Sequence, residues 1–159
     1  SDKKIIALLP GSRKQEIERL LPDMLSVVDA FPDYEFVIAA APTFKKEYYQ
    51  QFMGGRNITL VFAQTYQLLH HAHSALVASG TATLETALFK IPQVVLYKGG
   101  AISVGIARLV IKIRFISLVN LIMDRKVVEE LIQQDCTTEK ISANLLQISE
   151  GEGRKKMLA

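Results

Sequence analysis

The chain has 159 residues, 49% hydrophobic and 22% charged, which is enough for one globular domain to bury a core without disulfides or metal. Its single cysteine, Cys136, excludes a disulfide framework and fits a reducing cytoplasm, and no apolar run approaches the roughly 18 residues of a membrane span. The net charge of +3 favours anionic partners weakly, and without interleaved aromatic and basic residues it gives no indication of nucleic-acid binding.

Short apolar runs alternate with amphipathic segments along the chain. Buried strands are predicted over residues 4–9, 34–40, 57–62, 74–78 and 92–96. Between the first two, apolar residues from Ile17 to Val28 recur at helical spacing, and Pro22 is expected to kink or split that helix. Further helices are predicted from a capping Thr43 to Gly54, through Leu68 and Leu69, over 82–89 and over 102–113. An extended piece at 115–118 and two more helices follow.

This alternation predicts an α/β fold with a doubly wound, mostly parallel sheet. The simplest strand order is 3-2-1-4-5, with room for a sixth strand. In that order strands one and four are neighbours, and the chain reverses direction between them. The loops Gly11-Ser12-Arg13 and Ser79-Gly80-Thr81 leave the carboxyl ends of these two strands, where such sheets bind ligands.

The first loop combines features of a helix start and of an anion site. Gly11 has no Cβ, so a ligand can approach the backbone closely, and Ser12 with Gln15 fits a capping box. The helix dipole disfavours a cation in the first turn, so the position of Arg13 indicates an anionic partner. By itself, however, the loop is better explained as an ordinary capped turn with Arg13 in solvent.

The second loop strengthens the case for an anion. Ser79, Gly80, Thr81 and Thr83 place backbone N–H groups and hydroxyls at the start of a helix. Glu85, about one turn further on, could accept hydrogen bonds from ribose hydroxyls or could simply stabilise the helix dipole. Neither loop carries Gly-Lys-Ser/Thr, and the first strand is not followed by Gly-x-Gly-x-x-Gly, which argues against nucleoside triphosphate hydrolysis and against NAD or FAD.

Three other features are open to plainer explanations. The histidines at 70, 71 and 73 lack a companion ligand motif, so no metal site is predicted. The segment 102–113 is apolar except for Arg108 and Lys112, and it could pack against another domain or partner or meet lipid. Asn120 in its apolar surroundings could satisfy backbone groups.

Four segments together resemble the lipid-A-disaccharide synthase family. They are LLPGSR at 8–13 with Glu16-Ile17, ASGTATLE at 78–85, Tyr97-Lys98, and ISLVNLI at 116–122. The resemblance implies that residues 1–159 are one Rossmann-like domain, the carboxyl-terminal, UDP-sugar-binding half of a two-domain GT-B glycosyltransferase. The acceptor domain, with the general base, and a final helix would lie outside this sequence.

The resemblance also implies an activity and its site residues. Such enzymes transfer 2,3-diacylglucosamine from UDP to 2,3-diacylglucosamine 1-phosphate with inversion, forming the β-1,6 disaccharide of lipid A biosynthesis and releasing UDP. No cofactor is expected, and the expected location is the cytoplasm, with peripheral contact with the inner membrane left open. The diphosphate would be bound by Gly11, Ser12, Arg13, Ser79, Gly80, Thr81 and Thr83. Arg13 would stabilise the leaving group, Glu85 would hold ribose, and Tyr97, Lys98 and Asn120 would contact substrate.

Two alternatives stay open at this point. A UDP-sugar epimerase or another GT-B transferase, such as one acting on lipid-linked peptidoglycan precursor, would share the architecture. A non-catalytic nucleotide-binding module would share the cleft without the chemistry.

Overall fold

The computed structural model describes residues 3–98, 129–132, 136–151 and Arg154. The predicted helix at 102–113, the extended piece at 115–118 and Asn120 lie outside the described residues. In the part that is described, no helix is both long enough and apolar enough to cross a membrane.

A six-stranded sheet in the order β3-β2-β1-β4-β5-β6 forms the centre of the fold. The strands are β1 (Lys4–Leu9), β2 (Tyr34–Ala40), β3 (Thr59–Phe62), β4 (Ala72–Ala78), β5 (Gln93–Tyr97) and β6 (Glu129–Ile132). All five pairings between neighbouring strands are parallel. The doubly wound sheet and its order are therefore confirmed, and the sixth strand lies next to β5.

Helices cover both faces of this sheet. They are α1 (Lys14–Leu25), α2 (Lys46–Gln50), α3 (Thr65–His71), α4 (Thr81–Leu88) and α5 (Thr138–Glu150). On one face, β1 residues Ile6 and Leu8 pack in a core with α1, α2 and α5. On the other, Ala7 and Leu9 pack with α3 and α4. Alternate residues of one strand thus enter two separate cores, which is why the strands are apolar throughout.

The start of α1 differs from the predicted capping box. Arg13, in extended conformation, occupies the N-cap position, and no side chain caps the helix. Ser12 lies one residue too early for its hydroxyl to reach the first free N–H groups. The predicted capping box between Ser12 and Gln15 is therefore wrong, and the first turn of α1 has no side-chain cap.

Pro22 lies inside α1 and does not split it. The helix continues to Leu25, and the N–H of Ser26 donates to the carbonyl oxygen of Pro22 at 3.0 Å. Leu21 and Met24, on either side of the proline, are fully buried against the sheet. Burial of such side chains is worth about 1.5–3 kcal/mol each, which offsets the missing backbone hydrogen bond.

The second helix is shorter than predicted and begins later. Its N-cap is Lys45 rather than Thr43, and it ends at Gln50, so the predicted capping by Thr43 is wrong. The buried Tyr49 fixes this segment, since its hydroxyl accepts a hydrogen bond of 2.7 Å from the N–H of Ala41. Turns then lead to Gly54 and Gly55, both with positive φ.

Candidate functional site

The loops that follow β1 and β4 face one another, as the strand order requires. The two strands are paired along their length up to Leu9 and Val77. Between the loops lies a cleft of about 310 Å³, which we call the central cleft. Its lining includes Gly11, Ser12, Glu16, Ser79, Gly80, Thr81, Ala82 and Glu85. Five of the predicted diphosphate contacts and the predicted ribose contact therefore border one cavity.

The helix N-terminus at the second loop carries no side-chain cap. Gly80 is the N-cap of α4, with φ +151° and ψ −162°, a backbone conformation that residues with a Cβ rarely adopt. Thr81 and Ala82, which begin the helix, border the central cleft. Because no side chain caps the helix, the backbone N–H groups of Thr81 and Ala82 are available to an anion in the cleft, whereas the Thr83 N–H donates to the Gly80 carbonyl oxygen.

Thr83 is not part of the cleft lining, contrary to the sequence-based expectation. Its side chain is fully buried, and its hydroxyl donates a hydrogen bond of 2.7 Å to the carbonyl oxygen of Gly80. The Thr83 carbonyl oxygen accepts a second hydrogen bond, of 3.0 Å, from Nε2 of the buried Gln93. Thr83 is therefore placed beneath the loop, where it supports Gly80 and does not border the central cleft.

The first loop divides between two cavities. Gly11, with φ +96°, borders the central cleft, and a Cβ there would overlap the carboxyl group of Glu16. Arg13 instead borders a neighbouring cavity of about 400 Å³, which we call the lateral cleft. The lateral cleft also carries Lys14 and Arg19 from α1, so cationic side chains outnumber the single carboxylate in its lining.

Tyr97 and Lys98, at the carboxyl end of β5, border the lateral cleft together with Arg13. The ammonium group of Lys98 already has a partner, because its Nζ lies 2.8 Å from Oδ2 of Asp23 in α1. Both side chains are partly buried. This ion pair joins the segment after β5 to α1. If Lys98 contacted a substrate, its ammonium group would bind the substrate and Asp23 at the same time.

Glu85 lies where the central cleft opens toward α3. There the hydroxyl of Tyr66 interacts with the Glu85 carboxyl group, and this hydrogen bond raises the pKa of Tyr66. The opening is bordered by Ala63, Gln64, Thr65 and Glu85. Glu85 therefore stands between the loops of the central cleft and the loop that follows β3.

Several residues of the site were not predicted. Glu16 borders both clefts, and Arg19, Asp23 and Tyr66 contribute to their walls or to their neighbours. The helical spacing of Glu16, Arg19 and Asp23 from Arg13 could have indicated one face of α1, but only the packing shows that this face meets β5. Among the residues that the structure describes, no three His, Cys, Asp or Glu side chains form a group that could hold a metal ion.

A family model described as lipid-A-disaccharide synthetase matches residues 1–158 of the chain. The chain belongs to the lipid-A-disaccharide synthase family. It is 37% identical over 147 residues to the lipid-A-disaccharide synthase of Anaeromyxobacter dehalogenans strain 2CP-C, covering 88% of this chain and 38% of that protein. To the synthase of Myxococcus xanthus strain DK1622 it is 38% identical over 164 residues, covering 99% of this chain and 43% of that protein. The chain thus spans about two fifths of the length of these synthases.

Solved structures with low sequence identity share the fold. A complex of S. aureus MnaA with UDP matches with a TM-score of 0.66 at 15% identity, covering 99% of this chain and 40% of that chain. The UDP-GlcNAc 2-epimerase of Neisseria meningitidis, bound to UDP-GlcNAc, matches with a TM-score of 0.61 at 18% identity, covering 99% of this chain and 38% of that chain. The fold of this synthase family member is therefore the Rossmann-like half of GT-B enzymes, as the resemblance implied.

Proposed function

We propose that this chain is the donor-binding part of a lipid-A-disaccharide synthase. The complete enzyme would transfer 2,3-diacylglucosamine from UDP to 2,3-diacylglucosamine 1-phosphate, with inversion, in the cytoplasm. The carrying observation is the central cleft, where an uncapped helix N-terminus at Gly80 faces Gly11 across the reversal point of the sheet. Fold alone would fit a UDP-sugar epimerase equally well, and family membership favours the synthase.

The central cleft offers a consistent place for each part of UDP. The diphosphate would lie between Gly11-Ser12 and Ser79-Gly80-Thr81, held by the free N–H groups at the start of α4. Glu85 would accept hydrogen bonds from the ribose hydroxyls. Ribose links the phosphates to the base, so the base would lie beyond Glu85, at the loop that follows β3.

Arg13 would stabilise the leaving group. When the acceptor hydroxyl attacks the anomeric carbon, the C–O bond to the diphosphate breaks and negative charge develops on UDP. A guanidinium in the wall of the lateral cleft, which shares Ser79 with the central cleft, and the helix N–H groups can stabilise that charge without a metal ion. The general base that takes the hydroxyl proton would belong to the rest of the enzyme.

The lateral cleft would receive the groups attached to the diphosphate. Ser79 borders both clefts, so a sugar on the β-phosphate would pass from one into the other. Tyr97 and Lys98 would then contact substrate there, and Asn120 is proposed as a substrate contact on the resemblance alone. Because both substrates are acylated, we also propose peripheral contact of the enzyme with the inner membrane.

Titration of the chain with UDP and with uridine, followed by calorimetry and by amide chemical shifts, tests the site. A charge-assisted hydrogen bond is worth about 1.5–3 kcal/mol, so Arg13→Ala is expected to weaken UDP binding about 10-fold or more and leave uridine binding unchanged. Arg56→Ala, at a guanidinium remote from the clefts and paired with Asp29, is the matched control and should change neither.

Two results would contradict the proposal. Equal losses of UDP and uridine affinity in Arg13→Ala would show that Arg13 does not contact the phosphates. Changes in amide chemical shift confined to residues outside the loops at 11–13 and 79–85 would show that UDP does not bind in the central cleft. A further assay would join this chain to the rest of a synthase and measure the release of UDP from the donor. Release of UDP would indicate an enzyme, and no release would indicate a non-catalytic nucleotide-binding module.

A further inference from the structure

Glu16 occupies the boundary between the two clefts. Glu16 and Ser79 are the residues that border both cavities. The Glu16 carboxyl group packs over Gly11, so closely that a Cβ at Gly11 would overlap it. Because Gly11 has no side chain, there is room for the Glu16 carboxylate at this boundary, in addition to room for a ligand to approach the backbone.

The Glu16 side chain is partly buried. Within the residues that the structure describes, 3–98, 129–132, 136–151 and Arg154, no group donates a hydrogen bond to its carboxylate. A carboxylate only accepts hydrogen bonds, and it repels phosphate oxygens. Glu16 is therefore suited to contact a ligand at the junction between an anionic group and a part that carries hydroxyl or amide donors.

In a nucleotide sugar, this junction is the bond between the β-phosphate and the sugar. If the diphosphate lies at the start of α4 with the ribose toward Glu85, the β-phosphate would lie toward Ser79, and the sugar attached to it would enter the lateral cleft beside Glu16. We propose that Glu16 is a specificity-determining residue whose carboxylate accepts hydrogen bonds from the sugar of the donor and disfavours UDP without a sugar. This inference rests on the proposed function, since it requires UDP in the central cleft.

Three ligands separate the two effects of the carboxylate. UDP has an ionised terminal phosphate, the β-methyl ester of UDP has one negative charge fewer and no sugar, and UDP-N-acetylglucosamine has that lower charge and sugar hydroxyls. Their dissociation constants would be measured by calorimetry for the unmodified chain, for Glu16→Gln and for Glu18→Gln. Glu18 is an exposed carboxylate on α1 outside both clefts, and it serves as the matched control.

The expected changes have opposite signs. In Glu16→Gln, UDP-N-acetylglucosamine should bind about 10-fold more weakly relative to the methyl ester, because a hydrogen bond to a charged acceptor is lost. UDP should bind a few-fold more tightly, because a like charge has been removed. Glu18→Gln should leave the order of the three affinities as it is in the unmodified chain.

The same measurements distinguish the failure of this inference from failure of the site. If UDP does not bind the unmodified chain at the two loops, the proposed function fails and this inference fails with it. If UDP binds there but Glu16→Gln changes all three ligands alike, only the role of Glu16 is overturned. Glu16→Asp retains the negative charge on a side chain that is one methylene shorter. This variant should lose the preference for the ligand with a sugar without gaining affinity for UDP. A retained preference for the sugar would contradict the inference.

Discussion

The Gly80 turn shows how one buried hydroxyl can support a loop that borders the central cleft. The Thr83 Oγ1 donates to the Gly80 carbonyl oxygen, and the Thr83 backbone N–H donates to the same oxygen at 3.1 Å. Thr83 lies at the third helical position, whose side chain faces the sheet, whereas Thr81 at the first position is exposed to the cleft. The sequence shows two threonines near a glycine, and only the rotation of α4 relative to the sheet tells them apart.

Replacing Thr83 by valine tests this supporting role. Thr83→Val preserves the shape of the side chain but removes a buried hydrogen-bond donor, so the free energy of unfolding should fall by about 1 kcal/mol. Urea denaturation measures the change. Thr59→Val, at the exposed first position of the edge strand β3, is the control and should stay within about 0.5 kcal/mol of the unmodified chain. A Thr83→Val variant as stable as the control would show that the hydroxyl does not support the turn.

The pairing of Lys98 with Asp23 was also hidden from the sequence. Lys98 directly follows β5, and Asp23 lies near the end of α1, with most of the fold between them along the chain. Nothing in the local pattern of either segment joins them. Their contact follows from the sheet order, which brings the end of β5 beside the end of β4 and hence beside α1.

At the scale of elements, α5 is attached to the amino-terminal end of β4 by polar contacts. Nε2 of His73 hydrogen bonds to the carbonyl oxygen of Ser149 at 2.8 Å, and since a carbonyl only accepts, this nitrogen carries the hydrogen. The hydroxyls of Ser74 and Ser149 are joined at 2.8 Å, and Arg154 donates to the His73 carbonyl oxygen at 2.7 Å. These contacts lie at the amino-terminal end of β4, whereas the clefts lie beyond its carboxyl end.

Stability at this contact should depend on pH. Burial lowers the pKa of His73 below its usual 6.5; Arg154 and Lys4 act in the same direction, whereas the bond to Ser149 and the charge of Glu150 oppose it. As the pH falls below about 6.5, the unfolded chain binds the proton before the folded chain does, so the free energy of unfolding decreases. The decrease continues until the pH passes the lowered pKa of the folded state.

Urea denaturation between pH 7.5 and pH 5 measures this effect. His73→Gln retains a donor for the Ser149 carbonyl oxygen but does not titrate, so its stability should fall less steeply over that interval. His71→Gln, at the exposed end of α3, should retain the full decrease. An unchanged slope in His73→Gln would mean that the pH dependence arises elsewhere in the molecule.

The elements themselves were predicted with unequal success. Strands β1 and β2 were predicted with the observed ends, because continuous runs of Ile, Leu, Val and Ala are typical of strands buried on both faces. The last strand was not located: residues 129–132, with sequence EELI, lie in the stretch where two further helices were predicted without bounds. Their pairing with β5 supplies backbone hydrogen bonds that no local preference of these residues indicates.

At the scale of the whole molecule, binding and folding are coupled. A ligand that binds only the folded chain increases the free energy of unfolding by RT ln(1 + [L]/Kd), or about 2.7 kcal/mol at 100 times Kd. UDP is therefore expected to stabilise this chain by that amount at a concentration 100 times its dissociation constant. Thermal or urea unfolding with and without UDP measures it.

Free phosphate at the same ionic strength is the control for this coupling. It should stabilise the chain far less than UDP, because it lacks the ribose and base that Glu85 and the loop after β3 would contact. Equal stabilisation by phosphate and UDP would indicate a nonspecific anion effect on the cationic side of the lateral cleft. Binding of UDP without any stabilisation would mean that the unfolded chain binds it as well.

The sequence by itself determined the class of fold, the strand order and the two loops of the central cleft. Apolar periodicity reports which residues are buried, and the right-handed crossover rule then leaves few topologies, so strands one and four and their loops had to meet. The tertiary structure alone decided which side chains of those loops reach the cavity. It placed Arg13 in the lateral cleft, buried Thr83 beneath Gly80 and brought Glu16 between the clefts. The direction of a side chain depends on the rotation of its helix against the sheet, and packing, rather than local sequence, sets that rotation.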